Sequence, residues 1–287
     1  MKIGYLTQTL DIKTGGGRFA YDIVRGVRSY GNEVVVLTEE SSDSDFLSHT
    51  ILKRGIGMFT NLREVRSLLG DCDVVHALDG YPYGVIAHLA NRTLKKKLII
   101  SALGTYAVAP LYRWQTALLL KKAYESAERV LPISNFTLQE ILKKVALRNA
   151  MVITPGITVP ENMVPKAIDN NFIMGVGGIK KRKGYHIALS AFAKIAHEFP
   201  NLKYVIVADP FPPFQAILDK IVTDNNLEDR VTFLSHISDE KIKELYETAK
   251  LFVLTPINDD GHHIEGFGLV YLEAARAGLP VIGTIGT

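Results

Sequence analysis

Short apolar runs rich in valine and isoleucine recur along the chain, with helix-length segments between them. In the first half they are Lys2–Leu6, Glu33–Leu37, Asp73–His76, Leu98–Ser101, Val130–Ile133 and Met151–Thr154. Strands of a parallel sheet are covered by helices on both faces and so read as continuous hydrophobic runs; this alternation predicts a doubly wound α/β domain. Between the runs, Phe19, Ile23 and Val27 repeat at helical spacing, and Ser134 stands where it would cap a helix carrying Leu138, Ile141, Leu142 and Val145. The pattern pauses at Pro155-Gly156 and through Pro160–Pro165, whose prolines suit an extended linker. It resumes with Phe172–Val176, Tyr204–Ala208, Val231–Leu234, Leu251–Leu254 and Pro280–Gly283 as strands. Helices led by Ile187, Ala191, Phe192 and Ile195, then by Ile242, Leu245, Tyr246 and Ala249, fall between them. Two α/β domains are expected, residues 1–160 and 161–287, and the second lacks a closing helix, so the chain reads as cut short at its C-terminal end.

The 287 residues, 47% hydrophobic and 22% charged, are enough for two cores. The single cysteine, Cys72, cannot close an intramolecular disulfide, and Met1-Lys2-Ile3-Gly4-Tyr5 runs into a strand pattern with no apolar signal region ahead of it, which points to a reducing, cytoplasmic setting. No run approaches the roughly 20 apolar residues of a membrane span. A formal charge of +3 is too small to imply nucleic-acid binding.

Chemistry concentrates in two loops. Glu265-Gly266-Phe267-Gly268-Leu269-Val270-Tyr271-Leu272-Glu273 sets two carboxylates on either side of a glycine-rich turn. With a helix starting near Gly268, Glu265 falls in the loop before it and Glu273 on its second turn. The glycines would let backbone amides approach a ligand, and the helix N-terminus would favour an anionic group; spacing alone also allows a solvated acidic face. The other loop, Val176-Gly177-Gly178-Ile179-Lys180-Lys181-Arg182-Lys183-Gly184, follows a strand and opens a helix, joining flexible backbone to several cations. It suits a diphosphate or, more plainly, forms a solvated basic turn.

The run Glu265–Ala275 resembles the paired-glutamate motif of the family 4 retaining glycosyltransferases, and Ala275-Arg276-Ala277-Gly278-Leu279-Pro280-Val281-Ile282-Gly283-Thr284 continues the likeness without a gap. Further resemblance lies in Asp73-Val74-Val75-His76, Gly104-Thr105-Tyr106, Ile133–Thr137 and Ser238–Lys241. It implies a GT-B fold, two Rossmann-like doubly wound domains facing each other across a cleft. The N-terminal domain would be on the acceptor side, and the C-terminal domain, here incomplete, would bind the donor. It carries Glu273 to the ribose hydroxyls of a nucleotide, a geometry-selective pairing for a carboxylate, and Glu265 to the transferred sugar. Lys183 and Arg182, with Gly178, Gly266, Phe267 and Gly268, belong on this reading to the donor site, and Glu265 and Lys183 are its catalytic candidates. Two positions depart from the family: Gly178 stands where an arginine is usual, and Leu103 where a histidine is usual beside the sugar. The family's glycine-rich turn after the second strand of the C-terminal domain is here Ala208-Asp209-Pro210.

The implied reaction moves a sugar from a nucleoside diphosphate sugar to a hydroxyl acceptor (a glycan, a lipid-linked or a small molecule), with retention and with neither metal nor cofactor. The alternatives are a donor-binding remnant that cannot catalyse, suggested by Leu103, Gly178 and the missing closure, and a nucleotide-sugar epimerase on the same fold. Thr14–Ala20, with Glu39 beyond, imitates a dinucleotide fingerprint, but such a fingerprint begins within a residue or two of the strand end, and this strand ends near Thr7. Gly16 and Gly17 are instead candidates for a loop beside the donor or acceptor. The stretch Tyr106–Trp114 suits an acceptor platform, with Tyr106 its weak candidate, or a peripheral membrane contact, or simply a helix start packed on its own domain. Asp71-Cys72-Asp73 lies at a strand's beginning, away from any cleft, and His262-His263 with Glu265 lacks a third ligand, so no metal site is expected.

Overall fold

The computed structural model describes residues 1–157, 171–210, 212–259 and 261–285. The expected linker Pro160–Pro165 and the 160/161 boundary lie outside the described residues. The chain divides into two compact units, Met1–Thr154 and Pro155–Thr287.

Unit 1 contains the strands β1 (Lys2–Thr7), β2 (Glu33–Thr38), β3 (Ser48–Thr50), β4 (Val74–Ala77), β5 (Lys97–Ala102) and β6 (Arg129–Pro132), all parallel in the order β3-β2-β1-β4-β5-β6. Unit 2 contains β7 (Phe172–Val176), β8 (Lys203–Val207), β9 (Val231–Leu234), β10 (Leu251–Val253) and β11 (Val281–Ile282), parallel in the order β11-β10-β7-β8-β9. In each sheet the first strand in sequence lies inside the order, so successive crossovers leave it in opposite directions. That opens a crevice beyond its carboxyl end, between β1 and β4 in unit 1 and between β7 and β10 in unit 2, where open α/β sheets bind ligands.

The continuous apolar runs become these strands because both faces are covered: Tyr5 and Leu6 of β1, Val36 and Leu37 of β2, and Tyr204 and Ile206 of β8 are buried. The helix Gly15–Ser29 is started by Thr14, whose hydroxyl accepts from the Gly17 N–H at 3.0 Å, and it turns Gly17, Ala20 and Val24 inward. Ser134 caps the helix Asn135–Leu142, and Ser238 the helix Asp239–Thr248.

The structure corrects the pattern in three places. Met151–Thr154 is not a strand. The Met151 and Ile153 amides donate to Val130 and Pro132 carbonyls of β6, but Pro132 has no N–H to return, so the ladder lapses. The edge strand β3, Ser-His-Thr, has no apolar run to announce it. In the helix Tyr185–Ile195 the buried face is Tyr185, Ala188, Leu189 and Phe192, while Ile187 and Ile195 are exposed. Among the described residues no helix is long and apolar enough to cross a membrane.

Candidate functional site

The loops that follow β7 and β10 meet at the unit 2 switch point. From β7 the chain passes Gly177, at φ 133°, makes a tight turn at Lys181–Lys183, and enters the helix Tyr185–Ile195 through Gly184, at φ 71°. The loop after β10 is stitched to it: the Thr255 hydroxyl donates to the Gly184 carbonyl at 2.7 Å, and the Ile257 amide to the Arg182 carbonyl at 2.8 Å. A Cβ on Gly184 would stand 1.6 Å from the Thr255 carbonyl oxygen. Gly184→Ala therefore combines left-handed strain with a backbone clash and should lower unit 2 stability by about 2–5 kcal/mol; urea unfolding with an unchanged midpoint would refute this.

The stitched loops bring Lys183, Arg182 and Glu265 together. Glu265 Oε2 accepts from Arg182 Nη1 and lies 2.8 Å from Lys183 Nζ, and their side chains are only 13%, 21% and 11% exposed, respectively. Lys183 lies across Gly177, which leaves it room. Burial pulls the Lys183 pKa below its ordinary value, opposed by the Glu265 charge and reinforced by Arg182 and Lys180. Burial works against the Glu265 carboxylate too, but Lys183 and Arg182 outweigh it and hold its pKa below the usual range. The result is two cations and one anion largely buried together in the loops at the unit 2 switch point, while Gly178 in the same β7 loop faces open space.

Glu273 lies on the second turn of the helix Leu269–Arg276, which begins at Gly268, φ 77°. Its Oε2 accepts from the Tyr246 hydroxyl at 3.0 Å. Tyr246 is buried and stacks on Phe252 (centroids 5.9 Å), which meets Tyr271 edge-on at 5.7 Å. The sequence marked Tyr246 only as a helix residue facing the core; its hydrogen bond to Glu273 crosses between two helices and leaves no trace in spacing. Gly266 and Gly268 are buried and Phe267 half-buried in the turn before that helix.

The other candidates separate. Gly17 is structural, since a Cβ there would stand 2.2 Å from the Asp11 carbonyl oxygen, whereas Gly16 faces open space and lines a unit 1 cavity of about 40 Å³. Leu103, Tyr106, Arg54 and Asp79 line the same cavity. Sequence reasoning passed over Arg54 and Asp79, which stand in loops after β3 and β4. Tyr106 and Trp114 are exposed, but Ala107–Leu111 between them are buried on their own unit. The His263 ring bonds Asp259 at 2.9 Å, fastening its loop, and Asp73 accepts from the Lys2 amide at 2.9 Å at the amino edge of the sheet. Among the described residues no three His, Cys, Asp or Glu side chains are arranged to hold a metal ion.

The model of "Glycosyltransferase Family 4" matches residues 13–159, and that of "Glycosyl transferases group 1" matches residues 160–285. The serotype-specific mannosyltransferase WbdA of Escherichia coli is 31% identical over 132 residues, 45% of this chain and 15% of that protein. The mannosylfructose-phosphate synthase of Agrobacterium fabrum is 28% identical over 123 residues, 41% of this chain and 26% of that protein; the chain thus spans only part of these relatives. Among solved structures, Anabaena Alr3699/HepE in complex with UDP-glucose superposes with a TM-score of 0.78 over 99% of this chain and 80% of that one, at 21% identity. Both units thus have the fold of GT-B glycosyltransferases, and with its N-terminal half and its C-terminal half each matched, the chain belongs to glycosyltransferase family 4.

Proposed function

We propose that the chain is the sugar-transferring part of a retaining, metal-independent glycosyltransferase that takes its donor, a nucleoside diphosphate sugar, at the unit 2 switch point. The observation that carries this is the buried grip of Lys183 and Arg182 on one carboxylate oxygen of Glu265. Two largely buried cations that hold an anionic oxygen are the chemistry a diphosphate needs, with Glu265 standing in for a phosphate oxygen. The related structure with UDP-glucose bound supports a donor of this class.

Charge grows on the leaving diphosphate as the glycosidic bond breaks, so Lys183, Arg182 and the N-terminus of the helix after Gly184 act more strongly on the transition state than on the ground state. The phosphates then take over the cations, and Glu265, released from them, faces the transferred sugar. Glu273, oriented by Tyr246, takes the ribose hydroxyls. A second reading, donor binding without transfer, is favoured by Leu103, which lines the unit 1 cavity with a side chain that can neither donate nor accept a hydrogen bond.

Calorimetric titration with UDP, GDP, ADP and their glucose or mannose conjugates tests the donor site. One nucleotide should bind, and Glu273→Ala should weaken it roughly 100-fold, the worth of two hydrogen bonds to a charged group. Tyr246→Phe should weaken the ribonucleotide several-fold and leave its 2′,3′-dideoxy analogue unaffected, because the hydroxyl acts through Glu273. No binding by the wild-type chain defeats the donor assignment; binding without transfer to any hydroxyl acceptor favours the second reading.

A further inference from the structure

We propose that the groove between the helices Val85–Leu94 and Trp114–Ser126 of unit 1 binds a small phosphorylated polyol, with Arg92 and Lys122 on its phosphate. This site is separate from both crevices and does not depend on the transfer reaction proposed above.

The topology sets the groove apart. Each helix carries the chain from the carboxyl end of one strand, β4 or β5, back to the amino end of the next, as parallel pairing requires. The groove is lined by His88, Arg92, Lys122, Glu125 and Ser126. Arg92 stands in the last turn of the first helix, and the other helix contributes its final residues, so the charged groups lie toward the amino ends of β5 and β6. The crevices open at the opposite ends of the strands.

The lining residues form two facing pairs. His88 and Arg92 are four apart on one helix and Lys122 and Ser126 four apart on the other, so each pair shares a helix face. His88 Nδ1 and the Ser126 hydroxyl meet at 2.6 Å and tie the two faces together. The space between them, about 440 Å³, falls within the range of roughly 300–1,000 Å³ usual for small-molecule sites. All five lining side chains are polar, which leaves no wall for an apolar ligand.

The charges select a dianion. Arg92 and Lys122 are exposed, and among the described residues neither is paired with a carboxylate, whereas Glu125 is shared with Lys121 at 3.8 Å. Burial, then Arg92 and Lys122, lower the His88 pKa below its ordinary 6.5, the mark of a positive potential in the groove. Two cations without counter-ions match the two charges of a phosphomonoester, and the arginine fork can take two of its oxygens. A phosphodiester, with one charge, leaves one cation unmatched.

The remaining groups call for hydroxyls on the same ligand. The Ser126 hydroxyl donates to the Ala123 carbonyl at 3.1 Å, so the His88 Nδ1–H donates to the Ser126 oxygen. The neutral ring then keeps a lone pair on Nε2, which has no partner among the described residues, and Glu125 is a second acceptor.

Isothermal calorimetry with glycerol 3-phosphate and glucose 6-phosphate, beside glycerol, glucose and sulfate, tests this. At least one ester should bind more tightly than sulfate, and its neutral parent should not bind. The double variant Arg92→Ala/Lys122→Ala should weaken that ester roughly tenfold, the worth of two solvent-exposed ion pairs. Lys183→Ala, in the other unit, should leave its affinity unchanged. Absence of binding by both esters overturns the proposal, as does a folded double variant that binds like wild type. Sulfate held as tightly as the esters would mean an adventitious ion only, and affinity lost in Lys183→Ala would move the ester to the unit 2 loops; either result also overturns it. Flotation with phosphatidylglycerol vesicles separates a lipid source: capture of vesicles without binding of the soluble esters, lost in the double variant, overturns it in favour of a lipid headgroup. The UDP titration is independent, so failure of the donor reading leaves this site standing.

Discussion

Lys183→Ala is expected to lose two to three decades of turnover. The ammonium is buried with an 11% exposed side chain, lies across Gly177, and shares the Glu265 oxygen with Arg182. In so dry a place a preorganised cation acts on the leaving diphosphate with little screening, and removing one such contact typically raises a barrier by about 2.7–4 kcal/mol. The fold should survive, because Glu265 keeps Arg182 as a partner. The measurement is single-turnover transfer at saturating donor, with thermal unfolding as the control. A variant that unfolds like wild type and also transfers like wild type ends the catalytic assignment of Lys183.

Glu265→Gln should produce the largest loss of stability. It leaves Lys183 and Arg182 adjacent, buried and without a counter-charge, and breaking a buried pair in this way costs about 3–5 kcal/mol. The pH dependence has a definite sign. Burial already sets the Lys183 pKa below its ordinary 10.5, and without Glu265 it falls further. Between the folded and unfolded values the unfolded chain binds more protons, so stability rises with pH there. The defect should therefore be worst near neutral pH and shrink as pH approaches 10.5. A bound nucleoside diphosphate restores an anion to the pair, so it should stabilise the variant more than the wild type. Urea unfolding near pH 7 and pH 9.5, with and without UDP, reads all three effects; a variant as stable as wild type at neutral pH would mean that the carboxylate is not the buried counter-ion.

Gly178→Arg offers a test in the opposite direction. The position faces open space, so an arginine enters without a clash. It would add a third cation beside Lys183 and Arg182 and should tighten nucleoside diphosphate binding several-fold at low salt, with the gain lost as ionic strength rises.

Legibility varied with the kind of signal. The strand runs and the cap at Ser134 were readable because burial on both sheet faces and the needs of helix ends write themselves into neighbouring residues. Lys183, Glu265 and Glu273 were readable as members of motifs, each in a loop or helix start whose glycines betray close backbone approach. Tyr246 was not, since its bond to Glu273 joins residues 27 apart in sequence. Arg54 and Asp79 escaped for the same reason: the cavity they line is closed by residues from the ends of three strands and the start of a helix.

By itself, the sequence determined the α/β class, the two-unit organisation, the family and the identity of the charged loop residues, because each of these is encoded in local periodicity or in short contiguous motifs. Only the tertiary structure decided that Arg182 and Lys183 converge on one Glu265 oxygen, that Gly17 is a packing requirement while Gly16 opens on a cavity, and that Met151–Thr154 fails as a strand. Those outcomes depend on which chain segments the sheet order brings side by side, and buried charge, close approach and ladder completion are properties of the pair of segments that neither one carries alone.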